Sequence, residues 1–295
     1  MLNVKIIADS ISTYSKVRIT TFELEYHRFI LSEVNTHRLF SRNSASSRAI
    51  PVPKMLEIVR TDPAIPLFFG KNRPGMQAIE EVDSPDEAEA VWRRMAQQAA
   101  DGVEELHNLG VHKQIANRPL EPYQYIRTVL TATDFNNWYW LRDHTDAQPE
   151  IQAPARLMLA AHEKSKPQRL NPGEWHVPYV NCRINKETNA QMFFDENNKR
   201  VSLHEALMIS ASCCAQVSYR KTDGSLEKAE TVYKRLVESK PCHASPTEHQ
   251  AMVIGDDRAI PGITHYNTRD MSPGSGNLRW WLQYRQLIKD NVRYN

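Results

Sequence analysis

Hydrophobic residues follow two different periods along this chain of 295 residues. Residues 17–26 alternate, with Phe22, Leu24 and Tyr26 on one face, and this pattern predicts a strand. After Ser84 and Pro85, a strong helix start, apolar residues recur instead at helical spacing until Gly110. Two periods in one chain predict an α+β fold.

The remaining elements are predicted from start signals and spacing. Further helices are expected over residues 124–141, 148–164, 202–217 and 226–237, with a possible strand over 175–180. Ser202 and Glu205 have the spacing of a capping box, whereas the prolines and glycines of residues 60–82 predict a loop. No repeat or linker divides the chain, so we expect one domain over residues 1–295.

Composition excludes several classes of protein. The net charge of +2 removes the electrostatic case for a protein that coats nucleic acid. Apolar stretches are too short to span a membrane, and the N-terminus lacks the pattern of a secretory signal. The four cysteines form neither a CxxC pair nor a disulfide framework. We therefore expect no metal, no membrane contact and a cytoplasmic location, which is the host cytoplasm if the chain is viral.

Residues 36–48, THRLFSRNSASSR, are dense in serine and arginine. Guanidinium groups and hydroxyls are the donors that bind phosphate, so the segment is a candidate anion site. A solvated polar loop has a similar composition, and composition alone does not separate the two.

This segment resembles the signature of the flavin-dependent thymidylate synthases of the ThyX type, which is Arg-His-Arg, seven residues and Ser. His37, Arg38, Ser46 and Arg48 match, and Thr36 replaces the first arginine.

A second segment, residues 110–156, resembles the same family over about forty-five residues. Its matches are Arg118, Leu120 to Pro122, Asn137-Trp138, Leu141-Arg142 and Ala147 to Ile151.

A third resemblance lies near the C-terminus. Residues 242–249, CHASPTEH, are similar to the family motif His-x-Ser/Thr-Pro-x-Glu-His, and residues 215–219, AQVSY, to Ala-Arg-Val-Ser-Phe. In the family both motifs precede the Arg/Ser signature, but here they follow it. We therefore expect a circular permutation of the family fold, which is tolerated where the termini lie close together at the surface.

The resemblance implies a fold with a small antiparallel sheet and several helices, and a homotetramer whose active sites are shared between subunits. It also implies transfer of a one-carbon unit from methylenetetrahydrofolate to C5 of dUMP, giving dTMP, with FAD as cofactor and NADPH as reductant. The alternatives are a 5-hydroxymethyl product, another pyrimidine nucleotide, or a non-catalytic module that binds nucleotides or nucleic acid. Such a module would use the aromatic, basic tail around Trp280 and Trp281 to stack bases.

The resemblance also implies the site residues. Arg142 is the catalytic residue that polarises the uracil. The residues implied around the nucleotide are Glu33, Ser44, Ser46, Arg48, Arg118 and Arg142. The residues implied around the flavin are His37, Arg38, Asn43, Asn137, Ser218 and Ser245.

Three further positions depart from the family pattern. Ser44 replaces an acidic residue, Asp146 replaces a flavin-contacting histidine, and Glu33 replaces a glutamine at the nucleotide. An ionised Glu33 only accepts hydrogen bonds, so we expect it to face the base or a neighbouring arginine.

Two chemical details come from the residues themselves. Ser245, Pro246 and Glu248 have the pattern of a capped helix start. Cys242, in a Pro-Cys-His context, has a rival interpretation as the nucleophile of classical thymidylate synthases.

Overall fold

The strand predicted over residues 17–26 lies inside the largest sheet of the protein. A computed structural model describes residues 2–218, 222–256 and 260–292. The strand covers Arg18–His27, where Ile19, Phe22 and Leu24 are buried and both neighbouring strands are antiparallel to it.

Most of the predicted helices are confirmed, among them those that begin at Pro85, Pro149, Leu203 and Leu226. The helices of the described residues are α1 (Leu31–Asn35), α2 (Val52–Thr61), α3 (Pro85–Asn108), α4 (Lys113–Ala116), α5 (Asn136–Arg142), α6 (Pro149–Lys164), α7 (Leu203–Ala215) and α8 (Leu226–Leu236). Helix α3 ends before Gly110, whose φ of 80° favours glycine.

The strands form one larger sheet and three small ones. They are β1 (Asn3–Ser12), β2 (Arg18–His27), β3 (Ser41–Ser44), β4 (Tyr125–Ala132), β5 (Gln168–Leu170), β6 (Trp175–His176), β7 (Asn181–Ile184), β8 (Gln191–Phe194), β9 (Arg200–Val201), β10 (Ala251–Val253), β11 (His265–Tyr266), β12 (Pro273–Ser275), β13 (Leu278–Arg279) and β14 (Trp281–Gln283). The five-stranded sheet has the order β3-β4-β2-β1-β5, and one small sheet has the order β14-β10-β6. The α+β class is thereby confirmed.

The helix predicted over residues 124–141 is wrong in its first half. Residues Tyr125–Ala132 form β4, an interior strand that pairs with β2 and β3, and only Asn136–Arg142 is helical. The sequence YIRTVLTA is apolar enough to be buried on both faces, and such a strand has no alternation that separates it from a buried helix.

The main hydrophobic core fills the space between the five-stranded sheet and helices α5 and α6. Phe22, Phe40, Trp138 and Met158 belong to it. Each large side chain buried in this way contributes about 1.5–3 kcal/mol relative to an exposed one. Phe40 and Trp138 are in edge-to-face contact with ring centroids 5.5 Å apart, so the core fixes α5 against the segment that leads into β3.

No helix among the described residues is both long and apolar enough to cross a bilayer. Cys213 and Cys214 on α7 are buried.

Candidate active site

The segment 36–48 is a turn, an edge strand and a second turn. Strand β3 pairs antiparallel with β4, so that Ser41 lies opposite Thr131 and Ser44 opposite Thr128. The first turn carries His37 and Arg38 just ahead of the strand. Because one face of the segment packs on the core, its polar side chains lie at the edge of the sheet.

Arg142, at the last position of α5, reaches this first turn. Its Nε donates a hydrogen bond to Nε2 of His37 at 2.9 Å, and an Nη nitrogen donates to the hydroxyl of Thr36 at 3.4 Å. Burial and the nearby charges of Arg142 and Arg42 lower the pKa of His37 to about 4. The imidazole is therefore neutral near pH 7, with its Nε2 lone pair free to accept from Arg142.

A cavity of about 170 Å³ opens beside this pair. Four predicted site residues line it, namely His37, Arg38, Asn137 and Arg142. Arg38 and Asn137 are exposed, and within the described residues the Arg38 guanidinium has no ion-pair partner. The structure thus brings three of the residues assigned to the flavin together with the residue assigned to catalysis.

The C-terminal motif residues adjoin the other end of the segment. The backbone N–H of Ser46 donates to Oγ of Ser218 at 2.9 Å, and Nδ2 of Asn43 donates to the carbonyl of Cys214 at 3.2 Å. These contacts join residues about 170 positions apart in the chain. Tyr219, the last residue of the AQVSY motif, lies outside the described residues.

Arg118, which is assigned to the nucleotide, shares a carboxylate with two donors that the sequence analysis did not assign to the site. Oε1 of Glu121 accepts from Arg118 at 2.9 Å, from Arg28 at 2.9 Å and from the hydroxyl of Ser47 at 2.7 Å. Burial raises the pKa of Glu121, but the hydrogen bond from Ser47 and the charges of Arg28 and Arg118 outweigh it, so the pKa lies below its usual value. Arg48 next to this cluster is exposed.

The family is decided by comparison with known proteins. Residues 5–168, more than half of the chain, match the family described as thymidylate synthase complementing protein. The chain belongs to this family. Membership makes it a one-carbon transferase of the dUMP-methylating class.

More distant likenesses come from solved structures. The chain is similar to the UMP/dUMP methylase PolB from Streptomyces cacaoi, bound with 5-Br dUMP, at 17% identity and a TM-score of 0.45 over 56% of this chain and 90% of that one. The same methylase bound with 5-Br UMP gives 18% identity and a TM-score of 0.43 over 56% and 89%. No curated protein matches the chain. Likeness at this level does not establish a shared substrate.

The positions that depart from the family pattern have clear surroundings. Thr36 is the second acceptor for Arg142, as described above. The hydroxyl of Ser44 is 2.8 Å from that of Thr128 on β4, so it continues the polar edge of the sheet. Asp146 is exposed beside His144 and lines a different cavity, of about 800 Å³, away from Arg142.

Among the described residues, Glu33 forms no ion pair with an arginine. Its carboxylate accepts a hydrogen bond from the hydroxyl of Ser32 at 2.7 Å, and it takes part in no ion pair among the described residues. Of the two expected partners, a neighbouring arginine is not found, and the base of the nucleotide stays the predicted one. Its carboxylate stays available to a ligand on the exposed side of α1.

The capped helix expected at Ser245 is also not found. Ser245–Glu248 form a single 3-10 turn without a side-chain cap, and Ser245 is exposed. Glu248 instead forms an ion pair with Arg285, so its carboxylate is not available to the backbone of Ser245. Ala244, not Ser245, occupies the N-cap position of this turn.

Two rival chemical interpretations lose support. Burial raises the pKa of the Cys242 thiol, which is the opposite of what a thiolate nucleophile needs. In the tail, Trp281 and Tyr284 are buried, and Arg285 is paired with Glu248. These three side chains are therefore not available to stack on bases, whereas Trp280 is half-buried.

Proposed function

We propose that this protein transfers a one-carbon unit from methylenetetrahydrofolate to C5 of dUMP and forms dTMP, with FAD as cofactor and NADPH as reductant. The observation that carries the proposal is the position of Arg142. Its guanidinium is held by neutral His37 beside a cavity that Arg38 and Asn137 also line. This arrangement presents a permanent cation at a site where a pyrimidine can bind.

Arg142 acts on the base. A guanidinium keeps its proton at every accessible pH and stabilises negative charge that develops on the pyrimidine ring during attack from C5. Because Nε is engaged by His37, the orientation of the planar group is set before the nucleotide binds. When bound, reduced FAD supplies the hydride that completes the methyl group.

The donor groups near Arg142 fit a cofactor that carries phosphates and carbonyls. Arg38 and Asn137 are exposed donors, and the buried Nε1 of Trp138, also on the cavity wall, has no hydrogen-bond partner in the described part of the chain. Arg38 would bind a phosphate of FAD, and the amide of Asn137 would bind the flavin or the adenine. Ser218 and Ser245 would extend the same surface.

The cavity is too small to hold the nucleotide, the folate and FAD together. Sites for ligands of this size measure roughly 300–1,000 Å³, and the cavity at Arg142 measures about 170 Å³. We infer that other copies of the chain complete the site, in a homotetramer with shared active sites.

The phosphate of dUMP would bind at the second turn. Ser46 and Arg48 lie in or next to this turn, with Ser44 at the end of β3, and Arg118 is half-exposed while it shares Glu121 with two other donors. Because Glu121 has other partners, Arg118 can turn to a phosphate without leaving a carboxylate unpaired. Glu33 would face the base, where its carboxylate accepts from a ring N–H.

We also propose that the chain is a circular permutation of the family fold. The family match ends at residue 168, and the motifs at 215–219 and 242–249 follow it. Ser46 contacts Ser218 of the 215–219 motif, and Asn43 contacts Cys214 directly before it. These contacts support the proposal, because they bring the signature segment and this motif together in space.

Incubation with dUMP, methylenetetrahydrofolate and NADPH, followed by mass analysis of the nucleotide, tests the reaction. A gain of a methyl group supports the proposal, and a gain of a hydroxymethyl group revises the product. No change in mass, together with no FAD bound on titration, would contradict the proposed activity.

The Arg142→Ala variant tests the assigned role. Loss of one preorganised donor for developing charge lowers kcat by about 10²–10³, while the protein should stay folded and keep FAD. Arg156→Ala is the matched control, because Arg156 is an exposed arginine on the neighbouring helix that pairs with Asp143. Turnover by Arg142→Ala at the rate of the control would remove Arg142 from the mechanism.

A further inference from the structure

A hairpin near the C-terminus contacts the family signature segment directly. Strands β12 and β13 are joined by a tight turn that contains Asn277. Nδ2 of Asn277 donates to the backbone carbonyl of Leu39 at 2.7 Å, and its Oδ1 accepts from the hydroxyl of Ser41 at 3.0 Å. Both partners lie between His37 and Asn43, in the part of the segment that leads into β3.

Gln283 on β14 extends the same contact to a second motif. Its side chain is 1% exposed. Nε2 lies 2.8 Å from Oδ1 of Asn277, 3.2 Å from the hydroxyl of Ser41 and 3.2 Å from the backbone carbonyl of Glu248. One buried amide therefore links the signature segment to the turn Ser245–Glu248.

The hairpin turn is shaped to fit this amide. Gly276 has a φ of 59°, and a Cβ at this position would lie 2.4 Å from Oε1 of Gln283. A side chain here would push Gln283 away from its partners, so both the conformation and the space require glycine.

The geometry points to Asn277 and Gln283 as positioning residues of the active site. They hold the backbone of Leu39 and the hydroxyl of Ser41, and so fix the spacing between the turn that docks Arg142 and the strand that leads to Ser46. Neither residue touches the nucleotide or the cofactor in this assignment. Both lie outside residues 5–168, the part of the chain that matches the family. The expected effect on dUMP binding rests on the proposed function. The expected effect on the order of residues 36–48 rests on the contacts alone.

The reason for an effect on binding is preorganisation. The segment 36–48 carries donors for two ligands, and β3 is an edge strand with a single neighbour in its sheet. A segment that is ordered before the ligand arrives does not have to lose conformational freedom on binding. Removal of the Asn277 contacts therefore weakens binding of dUMP without removing any group that touches it.

The experiment compares the full-length wild type with three variants. Asn277→Ala removes the contacts with Leu39 and Ser41, and also the one with Gln283. Asn277→Asp keeps the shape and the acceptor for Ser41 but replaces the donor that faces the carbonyl of Leu39 with an oxygen. Asn197→Ala is the control, because Asn197 is an exposed asparagine in the turn between β8 and β9. Three readouts are measured for each: hydrogen exchange of the peptide that covers residues 36–46, the dissociation constant for dUMP, and kcat at saturating dUMP.

Asn277→Ala and Asn277→Asp should each raise hydrogen exchange in residues 36–46 and weaken dUMP binding about tenfold, with kcat at saturating dUMP reduced less than this. Asn197→Ala should leave all three readouts unchanged. Unchanged exchange in both Asn277 variants would overturn the inference, and so would raised exchange with wild-type dUMP affinity. If the wild type itself binds no dUMP, the proposed function fails, while the exchange data still test the contacts.

Discussion

His37 accepts a hydrogen bond from Arg142 only while its Nε2 carries no proton. The ring is buried between Phe40 and Trp138, with a centroid separation of 4.8 Å to Trp138. Burial disfavours the imidazolium, and the charge of Arg142 disfavours it further. The pair therefore depends on one neutral and one charged partner, and the neutral form persists well below physiological pH.

This dependence predicts the titration of His37. NMR of the histidine ring should give a pKa of about 4 in the wild type. Arg142→Gln should raise this pKa toward the ordinary value of about 6.5, because one of the two cationic neighbours is removed. The rise is partial, since burial and Arg42 still act on the ring.

Arg156→Gln is the control for that titration and should leave the pKa of His37 unchanged, because Arg156 pairs with Asp143 instead. A pKa of His37 that stays at about 4 in Arg142→Gln would contradict the prediction, because burial alone would then account for the low pKa.

Some residues of the site could be predicted from the sequence and others could not. Arg142, His37 and Ser46 were predicted because short motifs with specific spacing contain them. Glu121 and Asn277 were missed as site residues, because a carboxylate in a loop and an asparagine in a turn are common. Their role comes from partners far away in the sequence, such as Arg28 and Leu39. No local pattern encodes such a pairing.

At the scale of the element, two similar sequences behave differently. Ser202 with Glu205 and Ser245 with Glu248 share the spacing of a capping box. In α7 both capping hydrogen bonds form, from the backbone of Glu205 to the Ser202 hydroxyl and from the backbone of Ser202 to the Glu205 carboxylate. At Ser245 neither forms: the N-cap position is Ala244, and the carboxylate of Glu248 pairs with Arg285. The spacing of the motif alone therefore does not establish a cap.

The difference predicts two unlike effects on stability. Ser202→Ala should lower the free energy of unfolding by about 1 kcal/mol, which corresponds to a fall of about 2 °C in the thermal midpoint. Ser245→Ala should change neither, since its exposed hydroxyl caps nothing. Denaturant titration and thermal unfolding of the ligand-free protein measure both. Equal losses in the two variants would show that Ser245 caps the turn in solution.

At the scale of the whole molecule, the two halves of the chain meet on buried polar groups. His176 of β6 lies between Ser10 of β1 and Thr21 of β2, at 2.9 Å from each hydroxyl. His249, the last residue of the C-terminal motif, is 2.8 Å from the hydroxyl of Thr131 on β4. A motif distant in the sequence is thus built into the face of the family sheet. Both rings are buried, and burial disfavours the charged imidazolium.

The buried rings predict how the fold responds to acid. Burial lowers the pKa of His176 and of His249 to about 3, whereas an unfolded histidine titrates near 6.5. The folded pKa values are depressed, so the stabilisation is fully present above about pH 6.5 and is lost as the pH falls toward 3. At pH 5 each ring should lower the free energy of unfolding by about 2 kcal/mol relative to pH 7. Denaturant titrations at pH 7 and pH 5 measure this loss.

A pair of variants isolates the contribution of one ring. In His249→Asn the amide oxygen can still accept from Thr131 but does not titrate, so the loss between pH 7 and pH 5 should shrink by about 2 kcal/mol. His107→Gln is the control, because His107 is exposed at the end of α3 and its replacement should leave the loss unchanged. If His249→Asn loses as much stability as the wild type between the two pH values, the ring is not buried as a neutral group, and the contact between the motif and the sheet is not as described.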